Sequence, residues 1–241
     1  MKIKQKKNHS LMSDFIGEPT GEMIPLLSPE EEKEMTSEQI PETLSILPIR
    51  NTVLFPGVVI PITVGRKKSI HLVREANQGD KIIGVVAQLN PEIENPVVDD
   101  LASIGTVAKI IKTLALPDGN TTIIIQGKRR FEIDEFVSEE PHFVAKVTAL
   151  EEKFSLEVND DEENHTLALI RALKDTAKRV INLSPEIPVE ARIAVENIET
   201  ASFLTHFLSS NLNAHVATKQ HLLEIQNGAE RATRLLEHMN C

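Results

Sequence analysis

Cysteine and the large aromatic residues are nearly missing from this chain of 241 residues. It has no Trp, no Tyr, eight Phe and a single cysteine, Cys241, at the last position. One cysteine permits neither a disulfide within the chain nor a zinc site built from several thiolates, and this usage is typical of a reducing compartment. Stacking platforms for nucleic-acid bases are scarce as well, because they depend on aromatic side chains.

The chain also lacks a basic surface and long apolar runs. Its net charge is −10, and residues 41–150 carry 12 basic against 13 acidic side chains. Nucleic-acid domains normally present a basic face to phosphate, so nucleic acid is not an expected partner. No run approaches the ~18 consecutive apolar residues of a membrane span. The basic opening MKIKQKKNHS is not followed by the apolar stretch of a signal peptide. These absences predict a cytoplasmic protein without a membrane partner.

The distribution of apolar residues divides the chain into four segments. Residues 1–41 show weak periodicity and are predicted to be a flexible N-terminal extension, although Ser28–Glu34 has the composition of a helical turn. Residues 42–150 are rich in strand formers, residues 151–163 form an acidic connector, and residues 164–241 have helical spacing. A region of strands followed by a region of helices predicts the α+β class.

Three prolines interrupt the apolar segment LPIRNTVLFPGVVIPITVGRKKS at residues 47–69. Pro48, Pro56 and Pro61 cannot donate a hydrogen bond to a neighbouring strand, which excludes a plain central strand. Prolines are tolerated at the starts, edges and corners of strands in a small barrel. Together with a hairpin turn at Pro117–Asn120, they predict a strongly bent sheet or partly closed barrel of about six strands and one helix.

Sequence motifs for catalysis are missing. The chain contains no phosphate-binding loop, no G-x-S-x-G and no H-E-x-x-H. The spacing of His215 and His221 does not place both on one helical face, and Ser69 beside Lys67 and Lys68 is interpreted as a solvated helix start. The chain by itself is therefore predicted to be non-catalytic, with no cofactor and no metal.

Several motifs resemble one known family. The segment LPIRNTVLFPGVVIPITVGRKKSI closely resembles the start of the N-terminal domain of the Lon family of ATP-dependent proteases. The resemblance continues through GTVAKIIKTLALPDGNTTIIIQGKRRFEI and, more loosely, through Ile181–Pro188 and KQHLLEI, so that it covers roughly residues 43–239.

The resemblance implies a PUA-like mixed β-barrel followed by an all-α helical bundle. In the family this region helps to recognise unfolded or tagged substrates and contributes to a homo-hexamer, while ATP is used by a separate module. The ATPase and Ser–Lys peptidase modules are missing from these 241 residues. We therefore interpret the chain as an N-terminal region involved in protein quality control, with unfolded or damaged proteins as partners.

Five residues are candidates for a polypeptide-binding surface: Phe55, Pro56, Val58, Lys128 and Arg129. Exposed apolar side chains can hold an unfolded polypeptide by burial, and a strand edge can hold it by strand addition. Apolar residues such as the first three more often lie in the core, and basic residues such as the last two more often protect a solvated strand edge. Two other functions stay open: a free-standing PUA-like module that binds RNA or a small ligand, and a stand-alone enzyme.

Overall fold

The computed structural model describes residues 27–117, 119–154, 162–183 and 189–240. Six strands form its sheet: β1 (Thr43–Ile49), β2 (Val59–Val64), β3 (Ile82–Ala87), β4 (Ile104–Ala115), β5 (Thr121–Ser138) and β6 (Phe143–Ala149). Seven α-helices lie in the described residues: α1 (Pro29–Ser37), α2 (Lys67–Gln78), α3 (Glu162–Leu183), α4 (Val189–Asn197), α5 (Ala201–Asn211), α6 (Val216–Glu224) and α7 (Gly228–Met239). The predicted combination of a sheet and a following set of helices is confirmed.

The strands form one mixed sheet in the order β2–β5–β4–β3–β1–β6. Strands β1 and β3 are parallel, and the other neighbouring strands are antiparallel. The 18-residue strand β5 pairs with β2 through its first half and with β6 through its second half. The sheet must therefore bend along β5, as the prolines of the sequence predict.

The prolines occupy places where a strand lacks a neighbour on one side. Strand β6 pairs with Thr43–Ile46 of β1, whereas β3 pairs with Ile46–Ile49, so that Pro48 lies where β1 has a partner strand only on the β3 side. The sequence pattern predicts that Pro61 begins a short strand; in the structure Pro61 lies in the middle of β2, the first strand in the sheet order. An edge strand tolerates proline because one side of its backbone needs no ladder hydrogen bond.

A short helix lies just before the sheet, within the segment 1–41. Helix α1 begins with a capping box in which Ser28 and Glu31 exchange side-chain and backbone hydrogen bonds. Its residue Met35 is buried against the rest of the protein. Local capping and one apolar anchor order this short helix, whereas residues 1–26 lie outside the described residues.

A continuous apolar core joins the sheet to the helices. One cluster of buried side chains contains residues of β1 to β5 together with Leu173, Phe203, Leu222 and Leu235 from α3, α5, α6 and α7. The helical spacing predicts that Leu167 and Val180 lie on one apolar stripe with Leu173, but both are exposed. None of the described helices combines the length and apolar composition needed to cross a bilayer. The division of the chain into separate domains stays a prediction.

Gly127 lies where two segments of backbone meet closely. Its amide donates to the carbonyl oxygen of Val58 and its carbonyl accepts from Gly57, both over 2.9 Å. A Cβ atom at this position would lie 2.2 Å from the carbonyl oxygen of Phe55. The pairing of β5 with β4 is irregular next to Gly127, in agreement with the predicted bend.

Gly127→Ala is therefore expected to lower the free energy of unfolding by about 1–3 kcal/mol, because the backbone must move to admit the methyl group. Urea denaturation followed by circular dichroism measures the change. Gly79→Ala is the matched control, since the nearest atom to its Cβ would lie at 3.8 Å. Equal stability losses in the two variants would contradict the close approach at Gly127.

Candidate polypeptide-binding surface

Three strands present a partly exposed apolar surface at one end of the sheet. In β2, β5 and β4, the side chains of Ile60, Ile125 and Ile110 are buried on the inner side. Side chains alternate along a strand, so the intervening residues point outward. We call the outward apolar residues the hairpin face: Val59, Pro61, Leu114 and Ile124.

The hairpin face has two exposed lysines beside it: Lys112 lies opposite Ile124, and Lys109 lies opposite Gln126, which pairs with Val59. Thr63 and Thr122 lie opposite each other on the same side, and their hydroxyl oxygens are 2.9 Å apart. Leu114 is 44% exposed, and Ile111 at the irregularity in β4 is 52% exposed. Contiguous exposed apolar residues of this kind commonly mark an interaction surface.

Strand β2 offers a free backbone edge beside this face. Among the described strands, β2 pairs only with β5, and no described strand pairs with its other side. An extended polypeptide can add to such an edge through main-chain hydrogen bonds. Pro61 removes one donor from the edge, which limits how regularly another strand can pair there.

A cleft of about 570 Å³ lies between the first turn of α2, β1 and the segment before β6. Its floor is apolar and includes Ile46, Leu72 and Phe143, while Arg66 and Lys68 lie at its rim. The amine of Lys68 donates to the carbonyl oxygen of Glu139, lies 2.8 Å from the Glu140 carboxylate and stands 5.1 Å from the centre of the Phe143 ring. An apolar floor with a few polar groups is typical of ligand pockets.

The five residues singled out in the sequence occupy different environments. Phe55 and Val58 are 0% and 6% exposed, and Pro56 is buried with them. In this conformation these three side chains belong to the core and offer no surface. Lys128 lies 3.9 Å from the Glu38 carboxylate, and Arg129 donates to the Glu38 carbonyl oxygen, so both contact the end of α1. A role of the five residues in binding polypeptide stays a prediction.

A buried group of charged residues connects the sheet to the helices. We call Arg130 of β5, Glu152, His206 of α5 and Arg231 of α7 the ionic cluster. One carboxylate oxygen of Glu152 accepts from Arg130 over 2.9 Å, and the other accepts from Arg231. Both arginine side chains are almost fully buried. The cluster thus fixes the position of three elements that are distant in sequence.

The two guanidinium groups also satisfy the end of α6. Arg130 donates to the carbonyl oxygens of Leu223 and Ile225, and Arg231 donates to that of Leu222. The last carbonyl groups of a helix have no partner within the helix and carry partial negative charge. Positive groups are therefore favourable there, which explains how two arginines can be buried beside one carboxylate.

The cluster shifts the protonation of its members. Burial by itself raises the pKa of Glu152, but the neighbouring His206, Arg231 and Arg130 more than offset this and hold the pKa well below its usual value of 4.5. Burial lowers the pKa of His206 from 6.5 to about 4; the positive charges of Arg231 and Arg130 act in the same direction, and Glu152 opposes them. Burial also lowers the pKa of Arg231.

The sequence contained only a weak signal for this cluster. The run KRRF drew attention to Lys128 and Arg129 as surface residues, whereas the buried residue is Arg130. Neighbouring side chains in a strand point to opposite sides, so three consecutive basic residues cannot all face solvent. This alternation indicates that one of the three basic residues is buried. It does not indicate which residues of α5 and α7 are its partners.

Comparison with known proteins assigns the family. Residues 43–241 match the family described as ATP-dependent protease La (LON) substrate-binding domain. The chain belongs to this family. It is 53% identical over 219 residues to the Lon proteases of Cytophaga hutchinsonii and Flavobacterium johnsoniae, which covers 91% of this chain and 26% of each relative. The chain thus spans about a quarter of the length of these relatives.

Solved structures of Lon N-terminal domains share the fold. The N-terminal domain of Mycobacterium avium complex Lon protease superposes with a TM-score of 0.63 at 21% identity, covering 82% of this chain and 98% of that one. A Lon N-terminal domain protein from Xanthomonas campestris gives a TM-score of 0.57 at 20% identity, covering 81% and 97%. The resemblance stated from the sequence motifs is confirmed.

Proposed function

We propose that this chain is the substrate-recognition and assembly region of a Lon-type ATP-dependent protease and binds unfolded or damaged polypeptides in protein quality control. Membership in the substrate-binding domain family supports the role. The ATPase and Ser–Lys peptidase activities belong to the remaining three quarters of such a protein, since this chain covers 26% of its relatives. ATP is accordingly a cofactor of the whole protein, and the chain itself requires none.

The hairpin face is the proposed contact for the polypeptide. Its outward apolar residues can bury side chains of an unfolded client, and the free edge of β2 can pair with the client backbone. A folded protein hides both kinds of group and should bind poorly. A small patch contributes little net free energy of binding once the entropic cost of ordering the client is subtracted. One copy should therefore bind with a dissociation constant in the micromolar range or weaker. About six copies in a hexamer would strengthen binding through avidity.

The sheet is the proposed PUA-like barrel. Pairing passes from β5 through β4, β3 and β1 to β6, and β6 pairs again with β5. This circuit of five strands supports a barrel, with β2 attached to the outside of β5. Two residues of the hairpin face, Val59 and Pro61, lie on this attached strand.

A free-standing PUA-like module for RNA or a small ligand is the second candidate function. The cleft of about 570 Å³ beside α2 favours it, because Arg66, Lys67 and Lys68 line one side of it, although Glu139 and Glu140 line it as well. Salt distinguishes the two functions. Phosphate recognition weakens steeply with added salt, whereas apolar binding at the hairpin face should change little.

Leu114→Glu is expected to weaken binding of an unfolded client about tenfold, because a charge replaces an apolar contact worth on the order of 1.5 kcal/mol. Titration of a fluorescently labelled unfolded protein against the full chain measures the dissociation constant. Leu114 is exposed, so the variant should keep its circular dichroism spectrum and melting temperature.

Leu183→Glu is the matched control for this titration. Leu183 is 77% exposed at the end of α3, far along the chain from the hairpin face, and its replacement should leave the dissociation constant unchanged. Equal weakening by the two variants, or equal affinity for folded and unfolded forms of the client, would refute the hairpin face as the contact.

A further inference from the structure

Three metal-ligating side chains meet where α2 passes the start of β6. His71 and Glu75 lie four residues apart on α2, and His142 immediately precedes β6. The Nδ1 atoms of the two histidines are 3.3 Å apart. One carboxylate oxygen of Glu75 lies 3.7 Å from Nδ1 of His71 and 3.8 Å from Nδ1 of His142.

We infer that His71, Glu75 and His142 form a binding site for a divalent transition metal, with Zn²⁺ as the ion that fits best. Zinc binds imidazole nitrogen and carboxylate oxygen at about 2.0–2.2 Å in a tetrahedral arrangement, which separates neighbouring ligand atoms by roughly 3.3–3.5 Å. The observed triangle of 3.3, 3.7 and 3.8 Å is close to one face of that tetrahedron. Small rotations of the exposed His71 and Glu75 side chains bring the three ligand atoms to the separations of a tetrahedral zinc site.

The surrounding structure holds the ligands in place. Residues four apart on a helix lie on the same face, so His71 and Glu75 point to the same side of α2. His142 is buried, and its Nε2 atom lies 3.0 Å from the hydroxyl oxygen of Ser45 on β1. A neutral imidazole that binds metal through Nδ1 carries its proton on Nε2 and can donate it to Ser45. Such an outer hydrogen bond is the usual support of a metal-binding histidine.

The charge and exposure of the set favour a single bound cation. With Zn²⁺ bound to two neutral imidazoles and one carboxylate, the net charge of the site is +1. A second carboxylate is therefore not required. His71 and Glu75 are exposed, so the fourth coordination position faces solvent and is open to a water or to a group from a bound molecule. The metal would connect α2 to β6 beside the cleft, since His142 also lines that cleft.

Zinc titration of the full chain tests the site. The background variant Cys241→Ser removes the terminal thiol, which could otherwise supply a ligand. Isothermal titration calorimetry should show one Zn²⁺ per chain, and Co²⁺ should give the visible absorption of a four-coordinate site. Zinc at about 100 times its dissociation constant should raise the melting temperature by at least ~3 °C.

Two exposed variants separate the proposed site from chance binding. His71→Ala and Glu75→Gln should each weaken zinc binding at least about tenfold, as the loss of even an outer-shell partner commonly does. Both side chains are exposed, so the variants should fold normally. His221→Ala removes another exposed histidine, on α6, and should leave the affinity unchanged.

Three results would overturn the inference. The first is no zinc binding, which would leave the two Nδ1 atoms joined by a simple hydrogen bond. The second is unchanged affinity in both His71→Ala and Glu75→Gln. The third is an equal loss in His221→Ala, which would indicate adventitious binding to surface histidines.

Discussion

Glu152→Ala is expected to lower the free energy of unfolding by about 3–5 kcal/mol, because it leaves two buried guanidinium groups without their anion. Arg130 and Arg231 are 1% and 0% exposed, and each binds one oxygen of Glu152. The same carboxylate is the junction between the sheet, α5 and α7. Denaturation by urea, followed by far-ultraviolet circular dichroism because the chain has no Trp or Tyr, measures the loss.

Two further variants identify the cause of that loss. Glu152→Gln keeps the side-chain size and removes the charge. It should therefore destabilise the protein nearly as much as Glu152→Ala does. Glu237→Ala removes an exposed ion pair in which the Glu237 carboxylate lies 3.0 Å from the Arg234 guanidinium. This change should lower the free energy of unfolding by less than about 1 kcal/mol. A small loss in Glu152→Ala, similar to that of Glu237→Ala, would show that the ionic cluster does not hold the helices to the sheet.

Local sequence signals predicted the elements whose causes are local. The β4–β5 hairpin follows from the turn residues between two apolar runs. Glycine suits the position after a helix, which predicts an end at Gly79, and α2 ends there. Asn227 with Glu230 three residues later predicts the start of the last helix, and the Asn227 side chain accepts hydrogen bonds from the first turn of α7. Ser184 followed by Pro185 predicts a helix start. These two residues and Asp118 of the hairpin turn lie outside the described residues.

Features that depend on distant residues could not be predicted in this way. Phe55 and Val58 have the composition of either a core or an exposed patch, and in the fold they are buried in the cluster that joins the sheet to the helices. The outward side of β4 could not be derived from alternation alone, because an irregularity near Ile111 changes which residues face outward. The partners in the ionic cluster and around His142 come from elements separated by many residues, and no local pattern connects them.

The ionic cluster also predicts a pH dependence of stability between pH 6.5 and pH 4. Burial lowers the pKa of His206 from 6.5 to about 4 in the folded protein. Within this interval the unfolded chain binds a proton at this histidine and the folded chain does not, so the stability falls as the pH is lowered. Glu152 stays ionised through the interval because its pKa is held below the usual value. The pKa shift of His206 alone corresponds to a loss of about 3 kcal/mol in the free energy of unfolding.

His206→Gln should therefore flatten the decline in stability between pH 6.5 and pH 4, even if the variant is less stable at neutral pH. Urea denaturation at several pH values gives the free energy of unfolding, and the slopes against pH are compared rather than the absolute values. Burial also lowers the pKa of His142, but that residue is present in both proteins and cancels in the comparison. The exposed His221→Gln variant should keep the slope of the unmodified chain. An unchanged slope in His206→Gln would mean that this imidazole accepts a proton in the folded state as readily as in the unfolded chain, and that the cluster does not exclude its charge.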